Sequence, residues 1–339
     1  MEVACVSIHK LQAERAIREL STLNLVDKSF KIGRSGDTVC IPVVEVGEAL
    51  EALRKAGLYA KIEYMSLEPV VKPRPLGESF RGLSSYVLIG DILVFNWRSG
   101  IPDLEVYREA ALKVMREQPR VRAAFLKYET WGEARVQRLE HLAGERRTRT
   151  IHREYGLSFH VDIARVYFNP RLAAEHRRIA EEASNGDRVL DMFSGVGGFS
   201  LHIASSKKAR IVAADINPVA VKLLAENIRE NKRLLGEIAV LRADAATLPL
   251  LLKPVFNRII MDHPTASKYY VGEACMLAEK HAIIHYYTRT ITCEEARREF
   301  IERARKCCGN MEIEYCRKIL EYSPSQAIYN VTAKVKTGT

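Results

Sequence analysis

Three aspartates each close a short apolar run: Asp191 in RVLD, Asp215 in RIVAAD and Asp244 in VLRAD. The first is followed by Gly195, Gly197 and Gly198 and then by an amphipathic stretch. A strand, a tight turn and a helix start in that order make a nucleotide-cradling loop. What the loop lacks narrows the nucleotide. A dinucleotide fingerprint needs a third glycine where Ser200 stands, and a phosphate loop needs a GKS or GKT that is absent. A carboxylate just before the turn repels a pyrophosphate but suits a cation. The methionyl ammonium of S-adenosylmethionine is such a cation. Asp215 is placed for ribose hydroxyls, which donate to both carboxylate oxygens, and Asp244 for the adenine amino group. Phe193, Gly195, Gly197, Ile216 and Ala245 flank these acids and are assigned to the same cofactor. A lone aspartate in such a place is usually a helix N-cap, but three in order favour a ligand. An NAD enzyme, gripping ribose through Asp215, ranks below a methyl donor.

The elements that must position these acids follow from periodicity. From LSFHVDIARVYF onward, apolar runs (RVLDMF, RIVAAD, IAVLRAD, NRIIMD, HAIIHYY) alternate with helical stretches. That pattern predicts βαβ units and a parallel sheet covered on both faces. The later EIEYCRKILEY and QAIYNVTAKVK predict an antiparallel pair at the sheet edge. The fold class expected is α/β, a Rossmann-like domain for the methyl donor with a mostly parallel sheet, preceded by small α+β domains. The expected division is 1–70, a small docking domain; 71–156, a middle domain ending in an arginine-rich segment; and 157–339, the methyltransferase domain. KPRPLG carries the proline and glycine punctuation of a linker between the first two.

Composition bounds the partners. With 339 residues, 47% hydrophobic and 28% charged, the chain has the profile of an ordinary globular protein. The formal charge of +10 points to a polyanion, and Arg135, Arg138, Arg146, Arg147, Arg149 and Arg153 fall within one short segment. Arginine forks suit phosphate oxygens and stack on bases. No apolar run is long enough to span a bilayer, and MEVACVSIHK lacks the regions of a secretory leader. Seven cysteines without a CxxC pair predict a reducing cytoplasm and no zinc site, with oxidised pairs in a thermophile as the alternative left open. The expectation is a cytoplasmic monomer with no metal and no membrane partner.

VDIARVYFNPRLAAEHRRIAEE, VLDMFSGVGGFSLHIA, VAADINP and AIIHYYT, with RLEHLAGE and TIHREYG upstream, resemble the archaeal and eukaryotic tRNA (guanine-37-N1)-methyltransferases and their relatives in wyosine synthesis. The resemblance implies a class I fold holding S-adenosylmethionine, an N-terminal domain touching the tRNA body, and methyl transfer to the base after the anticodon. It places the general base on Glu175 and the partner of the developing O6 charge on Arg135. Guanine N1 carries a proton at neutral pH, so the reaction needs such a pair. Tyr167, Asn169, Pro170 and Arg171, just before Glu175, are expected at the flipped base and its phosphate, and Pro264 beside them. Without the resemblance, Glu175 reads as an exposed helix acid paired with Arg178 or Arg171.

One motif departs from the family. Where its guanine enzymes carry Asn-Leu-Pro, this chain has Asp262-His263-Pro264. An amide donates and accepts, whereas an aspartate only accepts. Asp262 stays a site residue, but the change lends weight to a second reading, C7-methylation of the 4-demethylwyosine intermediate at position 37. Aminocarboxypropyl transfer in wyosine synthesis and a non-catalytic RNA-binding module rank lower. An inert module has no use for three cofactor acids.

Overall fold

The structure is a computed structural model that describes residues 2–69, 76–80, 83, 85–101, 103–131, 136–323 and 325–336. The chain groups into two compact units, 1–75 and 76–339.

In the first unit, β1 (Glu2–His9) leads into α1 (Lys10–Thr22), then β2 (Gly33–Ser35), β3 (Thr38–Pro42), α2 (Val46–Lys55) and β4 (Lys61–Ser66). The strands form an antiparallel sheet in the order β2-β3-β1-β4. Ala13, Ala16 and Leu20 recur at helical spacing on α1 and close the core with Val6, Ile8, Ile41 and Leu53. A disulfide between Cys5 and Cys40 crosses β1 and β3.

The second unit begins with α3 (Leu76–Ser79), β5 (Val87–Ile89), β6 (Ile92–Asn96), α4 (Leu104–Glu117), β7 (Ala123–Trp131) and β8 (Val136–Gly144). These strands form a sheet in the order β5-β6-β7-β8, with β6 and β7 parallel across α4. A hairpin follows, β9 (Arg149–Glu154) and β10 (Leu157–Asp162). The boundary expected at 156/157 falls in its turn. Asp91, at the β5–β6 turn, accepts from Thr150 Oγ1 at 2.7 Å and forms an ion pair with Arg147. Part of the arginine-rich segment is therefore committed internally: Arg147 also pairs with Glu145, and Arg149 with Glu226.

The remainder is α5 (Ala173–Glu182), β11 (Arg188–Asp191), α6 (Gly198–Ser206), β12 (Arg210–Asp215), α7 (Pro218–Glu230), β13 (Glu237–Arg242), α8 (Leu248–Leu251), β14 (Phe256–Met261), α9 (Val271–Leu277), β15 (Ala278–Thr290), α10 (Cys293–Ala304), β16 (Met311–Ser323) and β17 (Gln326–Val335). The sheet order is β13-β12-β11-β14-β15-β17-β16. The first five strands are parallel, and β17 and β16 form the antiparallel edge pair. The central strands are buried on both faces, as a covered parallel sheet requires. Strand order reverses between β11 and β14, which opens a crevice at their carboxyl ends.

The cysteines form oxidised pairs, the alternative that the sequence left open. Besides Cys5–Cys40, Cys275 pairs with Cys308 and Cys293 with Cys316, leaving Cys307 as the thiol. The partners lie 23 to 35 positions apart in the chain, so no short spacing signals them. Among the described residues, no helix is long and apolar enough to cross a membrane.

Candidate active site

Beyond Asp191 the chain turns sharply. Gly195 and Gly197 have φ of 54° and 100°, left-handed values that favour glycine. A Cβ on Gly197 would stand 2.5 Å from Leu224, so the close approach of loop to α7 adds a second reason. The turn delivers the chain to the start of α6 and roofs a cavity of ≈490 Å³ at the carboxyl ends of β11, β12, β13 and β14.

Nine of the sequence-predicted residues line this cavity: Tyr167, Asn169, Phe193, Gly195, Asp215, Ile216, Asp244, Ala245 and Asp262. They arrive from four strand ends and from the segment ahead of α5. Asp215 is held from both sides, Oδ2 accepting from Gly195 N–H and Oδ1 from Asn217 N–H, each at 2.8 Å. Burial still raises its pKa, against those two bonds. Asp244 caps a short turn by accepting from Ala246 N–H at 2.9 Å, and it also lines the cavity. Asn169 likewise caps the turn Pro170–Leu172.

Asp191 is wholly buried and lends no atom to the lining. Its Oδ2 accepts from Ser200 Oγ at 2.7 Å, so the residue that breaks the dinucleotide fingerprint serves the acid. Burial, followed by the charges of Asp262 and Asp215, pushes the Asp191 carboxyl up to about 7. Asp191 Oδ1 and Ser194 Oγ, both buried, have no hydrogen-bond partner among the described residues. Three acids and an unmet acceptor around one apolar-walled cleft fit a cationic, donor-rich nucleoside, as S-adenosylmethionine is.

Glu175 is not the exposed helix acid of the simpler reading. Only 6% of its side chain is accessible. Arg178 donates to both of its oxygens, at 2.6 and 2.7 Å, and Tyr287 Oη donates to Oε1 at 2.7 Å. It does not line the cavity, nor do Gly197, Pro170, Arg171 and Pro264. Its neighbour His176 does, along with Phe168, Leu172 and Tyr270, which sequence reasoning passed over. His176 had a signal, since consecutive residues of a helix point in different directions. Arg135 lies outside the described residues. His263 lines the cavity and shapes the turn after β14, its Nδ1 accepting from Ala266 N–H at 3.1 Å. Pro264 O accepts from Arg289 N–H at 3.0 Å and ties that turn to β15. Phe193 packs edge-on to His263, with ring centroids 5.3 Å apart.

A parallel sheet with a switch-point cleft, a glycine turn and acids at successive strand ends define a class I S-adenosylmethionine-dependent methyltransferase. Residues 150–314 match the TRM5/TYW2 methyltransferase domain and residues 5–51 the tRNA methyltransferase 5 N-terminal domain. The chain is 33% identical over 343 residues to the tRNA (guanine(37)-N(1))-methyltransferase Trm5b of Methanocaldococcus jannaschii, covering 98% of each. A complex of aTrm5 with tRNALeu is 30% identical and superposes with a TM-score of 0.68, over 98% of this chain and 99% of that one. The P. horikoshii TYW2 structure in complex with MeSAdo is 26% identical with a TM-score of 0.64, over 79% of this chain and 96% of that one. The chain belongs to the TRM5/TYW2 family of tRNA methyltransferases.

Proposed function

We propose that this protein transfers a methyl group from S-adenosylmethionine to N1 of guanine 37 in tRNA. The observation that carries the reading is the match to Trm5b along 98% of both chains. It takes in the N-terminal unit, whereas the TYW2 structure covers 79% of this chain. The bound cofactor supplies an electrophilic sulfonium methyl. Asp215 holds its ribose and Asp244 its adenine, and Asp191 is the buried charge behind the ammonium. Tyr167 and Asn169 line the side of the cavity where an extruded base enters. Glu175 takes the N1 proton, and Arg135 stabilises the charge that grows on O6. The N-terminal unit docks the tRNA body, and the chain acts as a monomer in the cytoplasm.

Two unmodified tRNA transcripts, identical except for G or A at position 37, test the reading with purified protein and S-adenosylmethionine. Mass spectrometry of the nucleosides should show 1-methylguanosine from the G transcript alone. No methyl on either, from protein that binds the cofactor, overturns it and moves the assignment to the 4-demethylwyosine precursor.

A further inference from the structure

Glu154, His176 and His202 come from three elements, β9, α5 and α6, and meet at one buried point. His176 Nδ1 lies 3.0 Å, and His202 Nε2 3.1 Å, from the same oxygen, Glu154 Oε2. The three side chains are 1%, 6% and 4% accessible. Phe159 stacks along His202 and Phe199 stands edge-on to His176, so the cluster has aromatic walls. Glu154 Oε1 is also buried and has no hydrogen-bond partner among the described residues. The nearby His152 Nε2 is 3.8 Å away, beyond hydrogen-bond reach.

Two imidazole donors sharing one carboxylate oxygen would account for Oε2 but leave Oε1 unmet, which is costly inside a protein. The ligand atoms all lie within 4.8 Å of one another. Two imidazole nitrogens and a carboxylate are a donor set for a borderline divalent transition metal, zinc above magnesium or calcium.

We propose that Glu154, His176 and His202 bind one divalent transition-metal ion, with zinc the first choice. Each imidazole presents a lone pair to the ion and carries its proton on the other ring nitrogen, so binding releases no net proton from the neutral rings. His152 is not the fourth ligand. Its Nδ1 accepts from Gly90 N–H at 3.1 Å, which leaves the proton of the neutral ring on Nε2 and no lone pair there for an ion. Water completes the coordination. The ion pins the β9–β10 hairpin to α5 and α6. It also fixes His176, whose ring is so close to Gly198 that a Cβ there would stand 2.6 Å from Nε2. It thus props the start of α6 behind the glycine turn. The lack of a CxxC pair says nothing about such a site, because its ligands come from separate elements.

Protein treated with a chelator is titrated with Zn²⁺ by calorimetry and with Co²⁺ by visible absorption. The expected result is one equivalent bound, with Co²⁺ ligand-field bands and no thiolate charge-transfer band. H202Q and E154Q should each weaken binding more than about tenfold, while C307S leaves it unchanged. Circular dichroism establishes that each variant is folded, and either one suffices. No binding by the parent protein, or equal affinity in a folded H202Q or E154Q, overturns the proposal. So does a charge-transfer band lost in C307S, which assigns the ion to a site at the Cys307 thiolate.

Discussion

Tyr287 Oη donates to Glu175 Oε1 across 2.7 Å, joining the end of β15 to the first turn of α5. Both groups are buried, and Arg178 holds the carboxylate from its other side. Burial, then the charge of Glu175, raises the tyrosine well above the ordinary phenol range, so the phenol stays a donor. If Glu175 is the base, as proposed, one of these bonds must open before it reaches guanine N1. Tyr287 is thus one of two groups that restrain the Glu175 carboxylate, with Arg178 the other.

Replacing Glu175 by glutamine keeps the shape and removes the base. Turnover should fall by roughly 10²- to 10⁴-fold, while the Kd for S-adenosylmethionine, measured by calorimetry, stays near that of the parent. Parallel loss of cofactor binding would count against the role of base. Tyr287→Phe should instead keep most of the turnover and lower stability by about 1.5–3 kcal/mol, the worth of a hydrogen bond to a charged group. Single-turnover assays and thermal melts separate the two.

Asp191 predicts a pH dependence. Its folded pKa of about 7 lies above the ordinary aspartate value. Below about pH 4 the group is neutral in both folded and unfolded chains. Between there and 7 the unfolded chain releases its proton and the folded one keeps it, so this group's contribution to stability drains away as pH rises. A bound ammonium reverses the preference by favouring the charged form. Cofactor affinity should therefore climb as pH approaches 7 and level off above it. Calorimetry on the parent and on Asp191→Asn checks this, because the variant should show no such climb.

The acids were legible in sequence because strand periodicity locates strand ends, and open α/β sheets bind ligands there. The antiparallel edge pair was legible for the same reason. What escaped were relationships over long separations. Tyr287 meets Glu175 from 112 positions away, and Arg147 meets Asp91 from 56. No local pattern encodes either. Asp191 shows a subtler gap, since its place at a strand end was clear while its withdrawal from the lining depends on Ser200 one helical turn into α6.

Gly197→Ala tests the turn. Its φ of 100° penalises any Cβ, and Leu224 occupies the space a methyl would take. The cost should be roughly 1–3 kcal/mol, read as a fall of several degrees in melting temperature together with weaker cofactor binding. An unchanged melt would mean that α7 yields locally.

The Cys5–Cys40 bond spans 35 positions, and closing a loop of that length in the unfolded chain stabilises by about 4 kcal/mol in the chain-entropy account. Serine at both positions should lower the denaturant midpoint of the N-terminal unit and make it insensitive to reductant. Methyl transfer to full-length tRNA should then weaken through KM more than kcat, since that unit is proposed to dock the tRNA body.

Asp262 is the residue proposed to read the base. It lines the cavity just past the end of β14, at the position where the family's guanine enzymes carry an amide. A carboxylate has only acceptors to offer, and guanine presents two donors on its Watson–Crick edge, N1–H and the 2-amino group. Inosine keeps the first and lacks the second. If Asp262 accepts from the 2-amino group, a transcript with inosine at position 37 should lose about tenfold or more in kcat/KM. In Asp262→Asn the amide accepts more weakly, so the gap between guanosine and inosine should shrink. The comparison is a double-mutant cycle with one change in the RNA. Equal losses for inosine in the parent and in Asp262→Asn would remove Asp262 from 2-amino recognition and leave N1–H as the donor it can meet.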